Sequence, residues 1–301
     1  MIKGWKKEYL STVDEVFSRF ISFRTKTNFW VFRGSNVESD SAFTSIDRIF
    51  EYEKLSRSEK ISLERQSIEA FRMDYKLYPT AEVLPLLDID IQTLMLMQHY
   101  GARTRLLDWS RNPYIALYFA VCDQTKDKCN GQVLGFEYNQ YLINGSQQWC
   151  CYPEMYDEQR KFKKYLGPAF DLDYKGDWFV CQFLNDDFQF PRILAQNGLF
   201  TFTSQFGIDH AKKIQQLLNN NDCHKEFIIK NDAKREIRKT LLEKYHIYHG
   251  RLFPDSVGAA NSSNELLIDS IYEINTVQKQ NKNNASWLNI IRNKLKSHAS
   301  E

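Results

Sequence analysis

The chain has 301 residues, 43% of them hydrophobic and 26% charged, an ordinary globular balance that supports a sizeable core in one large domain or two small ones. With 40 Lys and Arg against 38 Asp and Glu, the formal charge of +2 excludes a global pull toward nucleic acid or membrane and leaves only local patches. The longest clean apolar run, Ile115 to Cys122, is far short of the roughly 20 residues a membrane span needs. The six cysteines form no C-x-x-C pair, and Met1-Ile-Lys-Gly-Trp5 has no signal-peptide pattern, so the expectation is a soluble cytoplasmic protein with free thiols.

In chain order, Leu10, Val13, Val16, Phe17 and Phe20 recur at helical spacing and predict an amphipathic helix over residues 8–22. Asn28 to Gly34 is rich in β-favouring residues and predicts a strand ending at Arg33-Gly34. Residues 44–100 read as mostly helical. Ser56-Arg-Ser-Glu59 has capping-box spacing, a helix then runs toward Pro79, and another begins near Asp88 or Asp90 and stops at Gly101. Its methionines suit a core face better than a cofactor box.

Next comes a run in which charge and core residues alternate closely, from Gln98 to Ala120. An extended segment, Thr104 to Trp109, carries Arg105 and Asp108 among apolar residues; a helix then starts at Asn112-Pro113, an N-cap followed by a first-turn proline. If the segment is extended, Thr104, Leu106 and Asp108 share one face and Arg105, Leu107 and Trp109 the other, which puts Thr104 and Asp108 on the side of a site. Ala116 and Ala120, four apart, leave room for another backbone or a ligand to approach closely.

Gly131 to Tyr138 is a strand, residues 140–180 lack a clear period and read as an insertion or long loop, and Pro191 to Phe202 looks like strand, tight turn and strand. A helix over 208–219, a strand over 226–230, a basic helix over 232–246, a turn over 253–258 and an amphipathic helix near 264–272 follow. A loose final helix is expected around Trp287 to Leu295.

Three sets of residues resemble the FRG domain family: Phe32-Arg33-Gly34, the run Gln98-His-Tyr-Gly-x-x-Thr-Arg-Leu-Leu-Asp-Trp109, and Asn112-Pro-x-x-Ala-Leu-Tyr-Phe-Ala120. Ala195-Gln-x-Gly-x-Phe200 and Leu252-Phe-Pro254 extend the likeness, which divides the chain into a helix over 1–24, an FRG domain over 25–260 and a helical tail over 261–301. The family is bacterial, with settings that suggest phage defence, and its name does not specify a reaction.

A second set is similar to ADP-ribosyltransferases: Phe32-Arg33-Gly34 at a strand end, Asp108-Trp109-Ser110 before a helix of the Ala116 to Ala120 type, and the strand Gly131-Gln-Val-Leu134. This likeness implies an α+β fold: a single domain with a split, mostly antiparallel sheet and helices. It also implies NAD as substrate, a macromolecular target of protein or nucleic acid, and the role of a defence effector or toxin. Arg33 would hold phosphate or the nicotinamide ribose, and Thr104 or Ser110 would supply a hydroxyl. Gly34, Arg105, Tyr100 and Trp109 would complete the cofactor site. Arg192 stands where that family has its catalytic glutamate, which leaves Asp108, or Gln196 without a charge, to take the part.

The residues themselves support a plainer alternative at each point. Asp108 also suits a structural pair with Arg105 or Arg33, and Tyr100 and Trp109 suit a core. His246 and His249 with Cys223 or Cys129 are too loosely spaced for a zinc site. Lys230, Lys234, Arg235, Arg238 and Lys239 form either a solvated helix face or a contact for RNA or DNA phosphates. Two further functions stay open: a non-catalytic sensing or interaction module, and a nucleic-acid-directed enzyme that does not use NAD.

Overall fold

The computed structural model describes residues 5–24, 29–39, 41–51, 53–77, 90–148, 167–175, 179–182, 191–218, 220 and 222–280. The chain divides into two compact units, residues 1–248 and 249–301. The first is an α+β unit around one seven-stranded sheet. It begins with strand β1 (Lys7–Leu10), helix α1 (Val13–Arg24), strand β2 (Trp30–Ser35) and the helices α2 (Asp47–Phe50), α3 (Arg57–Tyr75) and α4 (Asp90–His99). Strand β3 (Leu107–Ser110), helix α5 (Pro113–Val121), strand β4 (Gly131–Glu137), helix α6 (Tyr138–Gln148) and strand β5 (Phe179–Gln182) follow. Helix α7 (Pro191–Ala195), strand β6 (Gly198–Thr203), helix α8 (His210–Leu218), strand β7 (His224–Ile229) and helix α9 (Lys234–Tyr245) complete the unit.

The sheet order is β1-β7-β4-β2-β3-β6-β5. Only β1 and β7 run parallel; the other pairs are antiparallel. β2 pairs with β4 along its whole length, from Trp30↔Glu137 to Ser35↔Gln132. Against β3 it has one register pair, Phe32↔Ser110. The sheet is therefore close to two half-sheets, β1-β7-β4-β2 and β3-β6-β5, joined at a single point.

Local chemistry sets the element ends. Ser56 and Glu59 form the reciprocal capping box of α3, with Ser56 Oγ accepting the Glu59 N–H at 3.3 Å and Glu59 Oε2 accepting the Ser56 N–H at 2.7 Å. α4 ends in a Schellman turn: Gly101 has φ +90°, its N–H reaches the Gln98 carbonyl at 3.0 Å, and the Ala102 N–H reaches the Met97 carbonyl at 2.9 Å. Asn112 Oδ1 caps α5 by accepting the Tyr114 N–H at 3.0 Å.

α5 lies unusually close to the sheet. A Cβ on Gly34 would sit 1.8 Å from the Ala116 carbonyl oxygen, and one on Gly131 would sit 2.3 Å from that of Ala120. The small pair Ala116 and Ala120 thus admits the backbones of β2 and β4. Two buried cations from α9 bond backbone carbonyls nearby, one of them at the C-terminal end of α5. Arg238 Nη1 donates to the Val121 carbonyl at 2.7 Å and its fork holds Asp127, while Lys234 Nζ donates to the Asn36 and Lys126 carbonyls.

Two cores flank the second half-sheet. Ile68, Leu94, Met95, Leu106, Phe170 and Phe202 belong to one, which includes the methionine face of α4. Val31, Leu107, Trp109, Phe136, Leu199 and Ile214 belong to the other.

Four expectations need correction. Residues 7–10 are a strand and not the first turn of a helix, because pairing with Glu226–Ile229 outweighs the local apolar spacing. β3 covers Leu107–Ser110 and not Thr104–Trp109. Pro191–Ala195 is a helix, its proline at the first position and Asn197 with φ 47° turning the chain into β6. Residues 140–180, expected to be an ordered insertion or long loop, include most of α6 and the start of β5.

The second unit holds α10 (His249–Leu252) and α11 (Ser256–Gln280). α11 is continuous through the expected turn at Gly258: Asp255 Oδ1 accepts the Gly258 N–H at 2.7 Å and so caps the helix. The expected helix at Trp287 to Leu295 lies outside the described residues, and among those described no helix is long and apolar enough to cross a membrane.

Gly34→Ala is expected to destabilise the protein by about 3 kcal/mol or more, since two backbones must separate to admit one methyl group. Urea unfolding of the variant beside the parent checks this; an unchanged midpoint contradicts the close α5–β2 contact.

Candidate active site at the junction of the half-sheets

Where β2 and β3 diverge, the ladder leaves the Asp108 carbonyl without a strand partner on the β2 side. Arg33 fills that place: its Nη1 donates to the Asp108 carbonyl oxygen at 2.8 Å. A guanidinium carries five N–H donors, and among the described residues this is the one contact Arg33 makes within hydrogen-bonding distance. Its remaining donors are therefore open to a ligand.

The Asp108 side chain is exposed, yet surrounding protein pushes its pKa up, an effect opposed by Arg33, by the Gln98 amide and by Arg192. Protein atoms packed around the carboxylate disfavour its charged form even though the side chain reaches solvent. Arg33 has its pKa lowered by burial, with Asp108 opposing and Arg48 adding to the shift. Three guanidinium groups, Arg33, Arg48 and Arg192, thus act on a locality whose carboxylate is Asp108, a balance that favours an anionic ligand.

The elements hold these groups firmly. Asp108 Oδ1 accepts from Gln98 Nε2 on the last turn of α4 at 2.6 Å, and the other end of that amide accepts from Thr104 Oγ1. Arg192 Nη1 donates to the His99 carbonyl, tying α7 to the same turn. Thr104 and Asp108 therefore converge, through Gln98.

Other expected site residues are placed elsewhere. Arg105 is fully buried: its guanidinium grips Glu64 through contacts of 2.8 and 2.6 Å and lies 4.9, 4.9 and 4.5 Å from the ring centres of Phe170, Phe202 and Phe206. Trp109 is a core aromatic whose indole N–H donates to Thr201 Oγ1 at 2.9 Å. Ser110 is buried, with Oγ donating to the Gln196 carbonyl at 2.7 Å and accepting the Asn112 N–H at 3.0 Å. It joins β3, the α7–β6 turn and the start of α5. Gln196 enters that joint through its backbone. Gly34 serves the α5 contact. Tyr100 is exposed beside His99 and Tyr75 and keeps an accessible ring. Within the basic helix, Lys234 and Arg238 face inward to α5, so the nucleic-acid face expected there lacks two of its five cations.

Sequence reasoning missed Gln98, Arg48 and His210. Gln98 stands in the first position of the long motif, and that was its available signal; Arg48 and His210 had none. His210 is buried under the site, with Nδ1 2.7 Å from Thr201 Oγ1, and burial, reinforced by Arg33, pulls its pKa down to about 3.

The FRG domain model matches residues 28–129, which take in Phe32-Arg33-Gly34 and the run from Gln98 through Ala120. That segment is similar to the FRG domain, and Arg33, Arg48, Gln98 and Asp108 all fall within it. No curated protein and no solved structure matches the chain.

His210 gives an acid-stability prediction with a defined sign. Its folded pKa lies below the ordinary 6.5, so the unfolded chain binds the proton first as pH falls. Stability from this group is complete above pH 6.5 and declines toward pH 3 at about 1.4 kcal/mol per pH unit. Denaturant titrations at pH 7 and 5 should differ by about 2 kcal/mol from this source, and His210→Leu should flatten that slope. An unchanged slope in the variant contradicts a neutral buried ring.

Proposed function

We propose that the half-sheet junction around Arg33 and Asp108 binds NAD, and that the chain is an ADP-ribosyltransferase-like enzyme acting on a macromolecular target. The observation that supports this reading is the pairing of one solvent-reached carboxylate, Asp108, with a guanidinium, Arg33, whose remaining donors are uncommitted. A guanidinium fork suits the two oxygens of a pyrophosphate. Tyr100 offers a ring for stacking at the edge.

The chemistry asks for little more. The bond between nicotinamide nitrogen and ribose C1′ breaks, and its electron pair leaves with nicotinamide. Positive charge that develops on the ribose is stabilised by the Asp108 carboxylate. A nucleophile on the target then forms the new bond to C1′, and its proton passes to Asp108. Neither Arg105, Trp109 nor Ser110 has a part in this scheme, since all three are buried in structural contacts.

A second reading, a module that binds its ligand without turning it over, is favoured by two observations. The Ser110 hydroxyl is committed to the β3–α5 joint, and Arg192, in place of a carboxylate, stands before β6.

One assay separates the two. Wild type, Arg33→Ala and Asp108→Ala are incubated with NAD labelled on the adenosine half, with cell lysate, and calorimetry measures NAD binding. Transfer or nicotinamide release by wild type, reduced roughly tenfold to a hundredfold in Arg33→Ala and at least as far in Asp108→Ala, supports the enzyme. Binding without release selects the module, and no binding of NAD by wild type removes both NAD readings.

A further inference from the structure

Gln98 is half-buried on the last turn of α4, and its amide bridges Thr104 and Asp108. The two ends of an amide are not equivalent, and the surrounding groups decide which way it points. An ionised Asp108 only accepts, so it requires the NH2 end, and Gln98 Nε2 lies 2.6 Å from Asp108 Oδ1. Thr104 Oγ1 already accepts the Leu106 N–H at 3.2 Å, and its own hydrogen turns to Gln98 Oε1.

Thr104 is itself fixed. Its N–H donates to Ser45 Oγ at 2.9 Å, its carbonyl accepts from Ser45 and from the Ile46 N–H, and its side chain is buried. The orientation thus passes from a rigid buried threonine, through one amide, to the carboxylate.

We infer that Gln98 is a positioning residue for Asp108, and that Thr104 holds the Gln98 amide in the orientation that keeps the exposed Asp108 carboxylate an acceptor. As a role in turnover, this rests on the NAD reading above; as a statement about the carboxylate, it does not. A protonated Asp108 would present a donor toward an amide already turned to donate, so the relay favours the ionised form. The charged groups that face Asp108 are Arg33 from β2 and Arg192 from α7, and both act in the same direction as Gln98. α5, which follows β3, carries no charged residue.

The test titrates the protein with 13C-labelled aspartate carboxyl groups, the Asp108 signal being identified by its loss in Asp108→Asn. In Gln98→Met, close in volume, the Asp108 midpoint is expected to move upward from its wild-type value. Thr104→Val should move it in the same direction by less, because its amide can then rotate. Gln98→Ala serves where the methionine variant folds poorly. The same variants are assayed with NAD: kcat should fall roughly tenfold with KM for NAD little changed, and the acid limb of the pH profile should move to higher pH. An unmoved or lowered Asp108 midpoint in folded Gln98→Met overturns the positioning role. Absence of turnover in the wild type overturns the enzyme reading and leaves the carboxyl titration to decide the role of Gln98.

Discussion

The hydrogen bond from Arg33 to the Asp108 carbonyl is the interaction on which the rest of the site depends. β2 and β3 share one register pair, and beyond it the backbone of β3 needs a donor that β2 does not provide. A side chain supplies it. Buried or half-buried backbone carbonyls are rarely left unmatched, so a long cationic side chain at this position lets the sheet open without a loss of pairing. The opening in turn places a guanidinium and a carboxylate side by side at the surface, where a continuous ladder would have separated them onto opposite faces.

Holding the opening in place is the work of several close contacts. Gly34, next to Arg33, admits α5 against β2, and Gly131 does the same at the other end of the helix. Ser110 ties the end of β3 to the α7–β6 turn and to the α5 cap. Arg238 holds the end of α5, and Lys234 ties the Asn36 and Lys126 carbonyls to α9. Deeper in, Arg105 links the segment before β3 to α3 through Glu64, a charge pair that is tolerated because the fork is bidentate and three rings surround it. Arg33 and Asp108 are thereby mounted on elements held by close contacts, which suits a site that relies on preorganised charge.

Much of this was legible in the sequence, for reasons that can be named. The capping box at Ser56, the Gly101 stop and the Asn112-Pro113 start follow from local hydrogen-bond chemistry and stood where expected. The small pair Ala116 and Ala120 announced a close approach. The expected alternation from Thr104 to Asp108 does not hold: Thr104 and Leu106 are buried, Leu106 in the core whose rings surround Arg105, while Asp108 is exposed and is joined to Thr104 only through Gln98. The misreadings share one cause, tertiary context overriding local pattern. Lys7–Leu10 became a strand because β7 was there to pair with. Arg105 and Lys234, charged residues that composition assigns to the surface, were drawn inside by Glu64 and by backbone carbonyls. Arg48 and His210 come to the site from distant segments, and a single sequence holds no mark of that.

Arginine side-chain Nε–H spectra recorded during titration with ADP-ribose test the central claim most directly, because Arg33 and Arg105 both belong to the motif residues yet stand in opposite settings: one at the sheet junction, one locked in the core. The account predicts that the Arg33 signal shifts saturably with ligand while the Arg105 signal stays in place. A titration that leaves Arg33 unmoved, or that moves Arg105 in its stead, would contradict it.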